Sequence, residues 1–276
     1  MKRAAGVTLI ELVVTILLLG ILAALAAVYI APAINAYFAA QRRAEMADVA
    51  DTALRRMTSE VRLALPNSAR VDPTHRFLEI LLTRNGGRYR AANDDNPVTT
   101  EDPLDFTGDT LFDTLGPLPA GTFQQVLPGH FVVIHNLGIA GADAYDTAAA
   151  DPNIRAIQAI GPGPLANEVR ITLAANTRFP LESPGKRFFV VEGPVTYACA
   201  GNRLLRWSGY AIQLAQPTAL PGGAAEAVLA DNVSTCRLDF VALPLVARGL
   251  VAVSLTLSRA GEDVTLYYEA HVNNVP

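Results

Sequence analysis

From Val7 to Ala40 the chain runs through 34 residues of which only Glu11 is charged. It then passes, with no turn signal, into a stripe in which Ala47, Ala50, Leu54, Met57, Val61 and Ala64 recur at alternating spacings of three and four. The first pattern is that of a membrane segment; the second is one face of an amphipathic helix. Together they predict a single helix over 7–66, apolar over 7–40 and amphipathic over 41–66, stopped by Pro66-Asn67-Ser68. At ~1.5 Å per residue the apolar part would be ~51 Å long against a hydrocarbon core of ~30 Å, so it must protrude. Pro32 removes one backbone donor and is expected to kink the helix near its exit from lipid. Arg42, Arg43, Glu45, Asp48, Asp51, Arg55, Arg56, Glu60 and Arg62 form the opposite, solvated face. There Asp51 and Arg55 stand at the i,i+4 spacing that supports a helix by ~0.2–0.5 kcal/mol. Only about three heptads are present, so the stripe is read as packing on the chain's own domain rather than on a coiled-coil partner.

Beyond Pro66 the pattern changes to short apolar runs separated by loops, as in β-structure. The clearest signal is late: Val251, Val253, Leu255 and Leu257 alternate with small polar residues. After Ala260-Gly261-Glu262 the chain returns through Val264, Leu266, Tyr268 and Ala270. This predicts an antiparallel hairpin with one buried face. Further strands are expected at Arg76 to Leu82, His130 to His135, Glu168 to Leu173, Arg187 to Glu192, Val195 to Cys199, Arg203 to Trp207 and Val233 to Leu243. Asn93 to Gln125 and Gly138 to Asn153, rich in Pro, Gly, Asp and Ala, are expected as long surface loops. The fold class is therefore α+β: a long N-terminal helix packed on an antiparallel β-sheet head spanning 67–276.

Composition narrows the function. With 276 residues, 51% hydrophobic and 17% charged, the chain has the make-up of a folded protein. A net charge of −4 and a pI near 5.6, with the arginines scattered, argue against a nucleic-acid partner. Lys2 and Arg3 precede the apolar run and the next basic residue is Arg42, so the positive-inside rule leaves the N-terminus in the cytoplasm and the head across the membrane.

The N-terminus carries the specific signal. A basic leader ending in Gly6, then Val7-Thr8-Leu9-Ile10-Glu11-Leu12 and a long apolar helix through Gly20-Ile21-Leu22-Ala23-Ala24, resembles the class III signal of type IV pilins and type II secretion pseudopilins. In that superfamily a membrane-embedded aspartic prepilin peptidase cuts after the glycine and methylates the new amino terminus. The resemblance implies a leader of residues 1–6, cleavage at Gly6, Val7 as the methylated terminus where the family usually has Phe, and Glu11 as the acidic residue used in subunit assembly. It implies as partners the prepilin peptidase/N-methyltransferase, other major and minor pilins and the inner-membrane assembly platform. The protein would reside in the inner membrane and then in a pilus or pseudopilus.

A narrower resemblance rests on residues 53–62, on Asp102-Pro103-Leu104-Asp105-Phe106, on the cysteine pair around Arg203 to Tyr210, on the strand from Gly249 to Leu257 and on the terminal His271-Val272-Asn273-Asn274-Val275-Pro276. These segments are similar to the MshO-type minor pilin family of the mannose-sensitive haemagglutinin (MSHA) pilus, and more loosely to J-type minor pseudopilins and PilW-type minor pilins. The implied function is a minor subunit in assembly or initiation of such a filament.

Competing chemistry finds little support. His75, His130, His135 and His271 form no H-E-x-x-H, Gly161-Pro162-Gly163-Pro164 lacks the spacing and free amides of a phosphate loop, and no G-x-S-x-G is present; an enzyme, metal centre or cofactor is not expected. Asn93, Asp94, Asp95, Asn96, Glu101, Asp102, Asp105 and Asp109 could gather oxygen ligands for Ca²⁺ but match no EF-hand pattern, and are read as a solvated acidic loop. Cys199 and Cys236 would face an oxidising compartment, where two lone cysteines usually pair; two buried thiols are the alternative. A different reading of the N-terminus also stands: Ala24-Leu25-Ala26 satisfies a signal-peptidase site, which would make the chain a secreted or anchored periplasmic module. Against it, Glu11 interrupts the apolar core and the apolar run continues well past Ala26.

Overall fold

The computed structural model describes residues 6–93, 100–243 and 248–276. Its first element, helix α1, spans Leu9–Val61, 53 residues without a break at Pro32, or ~80 Å at the α-helical rise. The helix ends earlier than Pro66 because its last turn tightens: Leu63 N donates to Glu60 O at 2.9 Å and Ala64 N to Val61 O at 3.1 Å, the short-period bonds that close many helices. Ala64 is buried, yet it lies beyond the helix in a single bridge to Leu82.

Twelve strands follow: β1 Arg70–Val71, β2 Phe77–Arg88, β3 Asp109–Asp113, β4 Phe131–Val133, β5 Ile154–Pro162, β6 Val169–Thr177, β7 Arg187–Ala200, β8 Arg203–Ser208, β9 Ala225–Ala230, β10 Val233–Leu243, β11 Arg248–Arg259 and β12 Glu262–Asn273. The pairings between them are antiparallel. Nine strands form one branched sheet. Along one side of β7 lies β2; along the other, Phe189–Val191 pairs with β4 while Val195–Ala200 pairs with β8. Beyond β4 the sheet continues through β5 and β6 to β3, and beyond β8 to β9. The stretches Arg187 to Glu192 and Val195 to Cys199, expected as two strands, are one strand with an irregularity at Gly193, whose φ of 155° lies at the margin of what side-chain-bearing residues adopt. β3 falls inside the stretch expected to be a loop, and β1, β5 and β9 were not foreseen.

The remaining strands form a three-stranded meander, β10-β11-β12. Its last hairpin turns on two residues, Ala260 at φ 52° and Gly261 at φ 81°, with Glu262 already paired to Arg259. Two positive φ values in a two-residue loop match the twist of the flanking strands. Val251, Val253, Leu255 and Leu257 stand opposite Ala270, Tyr268, Leu266 and Val264, all on the face turned to the core.

The second half of α1 completes that core. Met46, Ala50, Ala53, Leu54, Met57, Thr58 and Val61 are buried, whereas Ala47 is only half-buried. The stripe is wider than the sequence pattern suggested because the helix meets both sheets: one cluster joins these residues to Leu78 and Ile80 of β2, Tyr197 of β7, Leu204 of β8 and the inner face of the meander. Thr58 is tolerated there because its hydroxyl donates to Leu54 O at 2.8 Å. A second cluster, around Phe112, Phe188, Val132, Ile157 and Ile171, fills the β3–β6 end of the large sheet.

Two devices fasten the meander to the large sheet. Cys199 at the end of β7 and Cys236 on β10 are disulfide-bonded, with Cα atoms 5.9 Å apart. Beside them the turn before β2 is built on Asp72, whose carboxylate accepts the amides of Thr74 (2.8 Å), Arg76 (2.8 Å) and Phe77 (2.7 Å). That turn presents the His75 carbonyl to Leu238 N of β10 at 2.9 Å. Burial raises the cost of ionising Asp72, but the Thr74 hydroxyl and these amides outweigh it and hold the carboxyl below its usual value.

Candidate functional site

The site begins at the bond between Gly6 and Val7. Gly6, Val7 and Thr8 are non-helical and exposed. Thr8 is the N-cap of α1: it is extended, at φ −76° and ψ 153°, and its Oγ1 accepts the amide of Glu11 at 3.3 Å. The first carbonyl drawn into the helix is that of Thr8, which accepts Leu12 N at 3.1 Å. Thr8 and Glu11 thus hold the cap and third helical positions with the spacing of a capping box, of which the bond to the Thr8 hydroxyl is formed. An acidic side chain in the first turn is also favoured by the helix dipole. Among the described residues Glu11 makes no salt bridge. The cap itself is not among the features expected from the sequence, although the T-x-x-E spacing of Thr8 and Glu11 carries its signal. The flanking Lys2 and Arg3 lie outside the described residues.

Among the described residues the first half of the helix is left uncovered by the head. Its large apolar side chains from Val7 to Phe38 are exposed, with Leu9 82% and Tyr29 72% accessible. The helix is long and apolar enough to cross a membrane. Apolar surface on this scale, with no cover from the head, needs a bilayer or other helices as its surroundings.

The second half is clamped. Tyr197 of β7 donates to Glu60 Oε2 at 2.6 Å and Arg206 Nε of β8 donates to the same oxygen at 2.8 Å. Burial, then the neighbouring Glu60 carboxylate, push the Tyr197 hydroxyl well above its ordinary value, so it stays a donor. Toward the membrane side Tyr268 of β12 bonds Asp51, Arg43 pairs with Glu262 at 2.7 Å and Arg259 pairs with Glu45 at 3.3 Å. These last two pairs fix the β11–β12 turn to the helix just where the helix leaves the head. Near Glu60 opens a cleft of about 610 Å³ walled by Arg56, Arg84, Glu192 and Arg206. Its arginines are answered internally: Arg84 by Glu192, and Arg206 and Arg56 by Glu60.

The acidic loop is solvated in part: Asn93 and Asp105 are exposed, as expected, Asp102 and Asp109 are half-buried, and Glu101 is covered. Glu101 is buried, Asp113 on β3 is fully buried and paired with Arg170 at 2.7 Å, Asp109 accepts the amides of Asp105 (2.9 Å) and Thr110 (2.7 Å), and Asp105 accepts that of Thr107 (2.7 Å). The carboxylates of Asp105, Asp109 and Asp113 are occupied with backbone amides and arginine, whereas Glu101 Oε1 is buried without a hydrogen-bond partner among the described residues. Asp94, Asp95 and Asn96 lie outside the described residues. Among the described residues no group of three or more His, Cys, Asp or Glu side chains is placed to hold a metal ion.

With this geometry in hand, the comparisons with known proteins add one match. Residues 1–27 fit the family model for the prokaryotic N-terminal methylation motif. The match supports the type IV pilin and pseudopilin superfamily, processing by a prepilin peptidase, and a single-pass membrane anchor formed by the apolar helix. No curated protein and no solved structure matches the chain.

Proposed function

We propose that this chain is a minor pilin or pseudopilin: a structural, non-catalytic subunit that waits in the inner membrane and is then drawn into a filament. The observation that carries this reading is the division of α1. One half is bare and apolar behind a methylation motif; the other is laminated to a disulfide-linked head. Such a helix can exchange lipid for neighbouring helices without disturbing the head. The leader is residues 1–6, cut after Gly6 and methylated on Val7; the segment 7–66, which contains α1, carries the head of 67–276. Lys2 and Arg3 support a cytoplasmic N-terminus and a periplasmic head. Within the superfamily, the segments similar to the MshO-type family favour an MSHA-like pilus over a type II secretion pseudopilus. A head of this bulk suits a sparse subunit better than a densely repeated one.

Intact mass of the protein purified from membranes tests the reading. A chain that begins at Val7 and carries one added methyl group is expected. A terminus at Ala27 would instead establish the signal-peptidase alternative, although Ala24–Ala26 sits in mid-helix.

A further inference from the structure

We infer that Thr8 is a positioning residue for cleavage: its hydroxyl fixes where the helix starts and thereby keeps the Gly6–Val7 bond in extended chain. The inference rests on the processing reading above and adds to it a role for a side chain on the far side of the scissile bond.

Hydrolysis at this site breaks the Gly6 C–Val7 N bond. Water adds to the Gly6 carbonyl carbon, Gly6 leaves as a carboxylate and the Val7 nitrogen takes both protons of the water, leaving as an ammonium. The group under attack is therefore the Gly6 carbonyl. At a helix start the N-cap residue is the first whose carbonyl accepts an intrahelical bond. Here that residue is Thr8, held by its bond from Glu11 N at 3.3 Å, and Leu12 N accordingly reaches Thr8 O at 3.1 Å. The Gly6 carbonyl stands two residues outside the helix, in a segment where Gly6 and Val7 are exposed. A Cβ placed on Gly6 would meet no described atom within 4 Å, so the chain's own packing does not hold this segment in place. The cap does.

Removing the hydroxyl leaves one other residue nearby with good cap character, and it is Gly6 itself. A helix restarted there would place Val7 at its first position and would take the Gly6 carbonyl as its first acceptor, from Ile10 N. The carbonyl that water must attack would then be tied into the helix, and the peptidase would have to unwind the segment before binding it. Because this reduces the fraction of binding-competent substrate, it enters as a weaker apparent affinity and leaves the chemical step unchanged.

The test uses the full-length precursor in detergent micelles with a purified prepilin peptidase, and compares Thr8→Val, which keeps the shape and loses the acceptor, with Thr8→Ser and Thr8→Asn, which keep a capping oxygen. Thr8→Val is expected to raise KM by up to about fivefold with kcat unchanged, the ceiling that a cap preference of about 1 kcal/mol sets. A helix restarted at Gly6 makes Ile10 N an intrahelical donor to Gly6 O, so Thr8→Val is also expected to slow amide exchange at Ile10. Thr8→Ser and Thr8→Asn should restore both values. Wild-type kinetics for Thr8→Val, a fall in kcat at constant KM, or failure of Ser and Asn to rescue would each overturn the role of the cap, the second by showing that the peptidase itself reads the hydroxyl. If the wild-type precursor stays uncut while the enzyme cuts its own pilin, the processing reading fails and the inference with it.

Discussion

Tyr197, on a strand 137 residues downstream, donates its hydroxyl to Glu60 in the last turn of α1 at 2.6 Å, and neither the ring nor the bond reaches solvent freely. The bond sets the rotation of the helix against the large sheet. Arg206 shares the same carboxylate oxygen, so Glu60 keeps one partner if the hydroxyl is lost. Tyr197→Phe is expected to lower stability by about 1.5–3 kcal/mol, the range for a hydrogen bond to a charged group. Tyr267→Phe removes an exposed bond to Glu269 of the same length, 2.6 Å, and should have a much smaller effect. Urea denaturation of the detergent-solubilised chain compares the two; equal losses would show that the Glu60 bond has no special weight.

The disulfide offers a second measurement. Cys199 and Cys236 close a loop with a sequence separation of 37, for which loop entropy predicts ~3–4 kcal/mol. Double replacement by serine should lower the head's resistance to denaturant by about that amount and leave membrane insertion intact, since α1 lies outside the loop. Non-reducing peptide mapping should recover the linked pair, whereas alkylatable thiols in the exported protein would contradict it.

Asp72 makes stability depend on pH with a defined sign. Its carboxyl lies below the unfolded value near 3.9. The stabilisation is therefore complete above pH ~4 and is lost as pH falls through the lower folded value. In Asp72→Asn that titration is gone. The Tm difference between wild type and Asp72→Asn should be largest near neutrality and shrink below pH ~4. A gap that stays constant down to pH 2 would show that the carboxylate's charge does not contribute. Glu79 runs the other way: it is fully buried, and its desolvation, only partly offset by Arg70 and Tyr210, raises its value. Its burial cost therefore eases as pH falls, so only the paired comparison isolates Asp72.

Glu11 separates two roles that one residue can combine. It stands at the third helical position, the spacing at which a Glu side chain can assist the helix start, as Gln can also. As a charge in an apolar helix it costs ~2.5–3.5 kcal/mol unless paired. In the proposed filament the amine of Val7 would pair it, and loss of one member of a fully buried pair costs ~3–5 kcal/mol. Glu11→Ala and Glu11→Gln should both be inserted and cut, and both should fail to enter filaments, as read by immunoblotting of sheared filament fractions. Incorporation of Glu11→Gln alone would assign the residue to capping; incorporation of Glu11→Ala would remove it from assembly altogether.

Much of this architecture was legible where one periodicity persists. The apolar run, the stripe from Ala50 to Val61, the alternation from Val251 to Ala270 and the bounds Val233–Leu243 needed only local pattern. Elements were missed where a strand gains its burial from neighbours distant in sequence. β3 reads Asp-Thr-Leu-Phe-Asp and looks like loop until Arg170 meets Asp113 across the sheet. β9, an alanine-rich edge strand, is mostly exposed. Gly193-Pro194 reads as an end to β7, yet the strand passes through it because β4 and β8 share one flank of β7 in succession. Met46 escaped the stripe because its cover comes from a second sheet. At the site, Gly6, Val7 and Glu11 follow from the motif, while the cap at Thr8 requires knowing where the helix begins.

The order of packing along α1 has a temporal meaning. Met46 to Val61 emerge early in synthesis, but the surface that receives them is built largely from β11 and β12, some two hundred residues later. Until Val251 to Val272 have been made and exported, the amphipathic half of the helix has no seat, and an apolar stripe beside a membrane stays uncovered. Closure of the head by contacts of such sequence separation is slow by nature. A subunit whose synthesis stops before the last hairpin would keep its anchor while its head stays open, in the state most accessible to periplasmic proteases and chaperones.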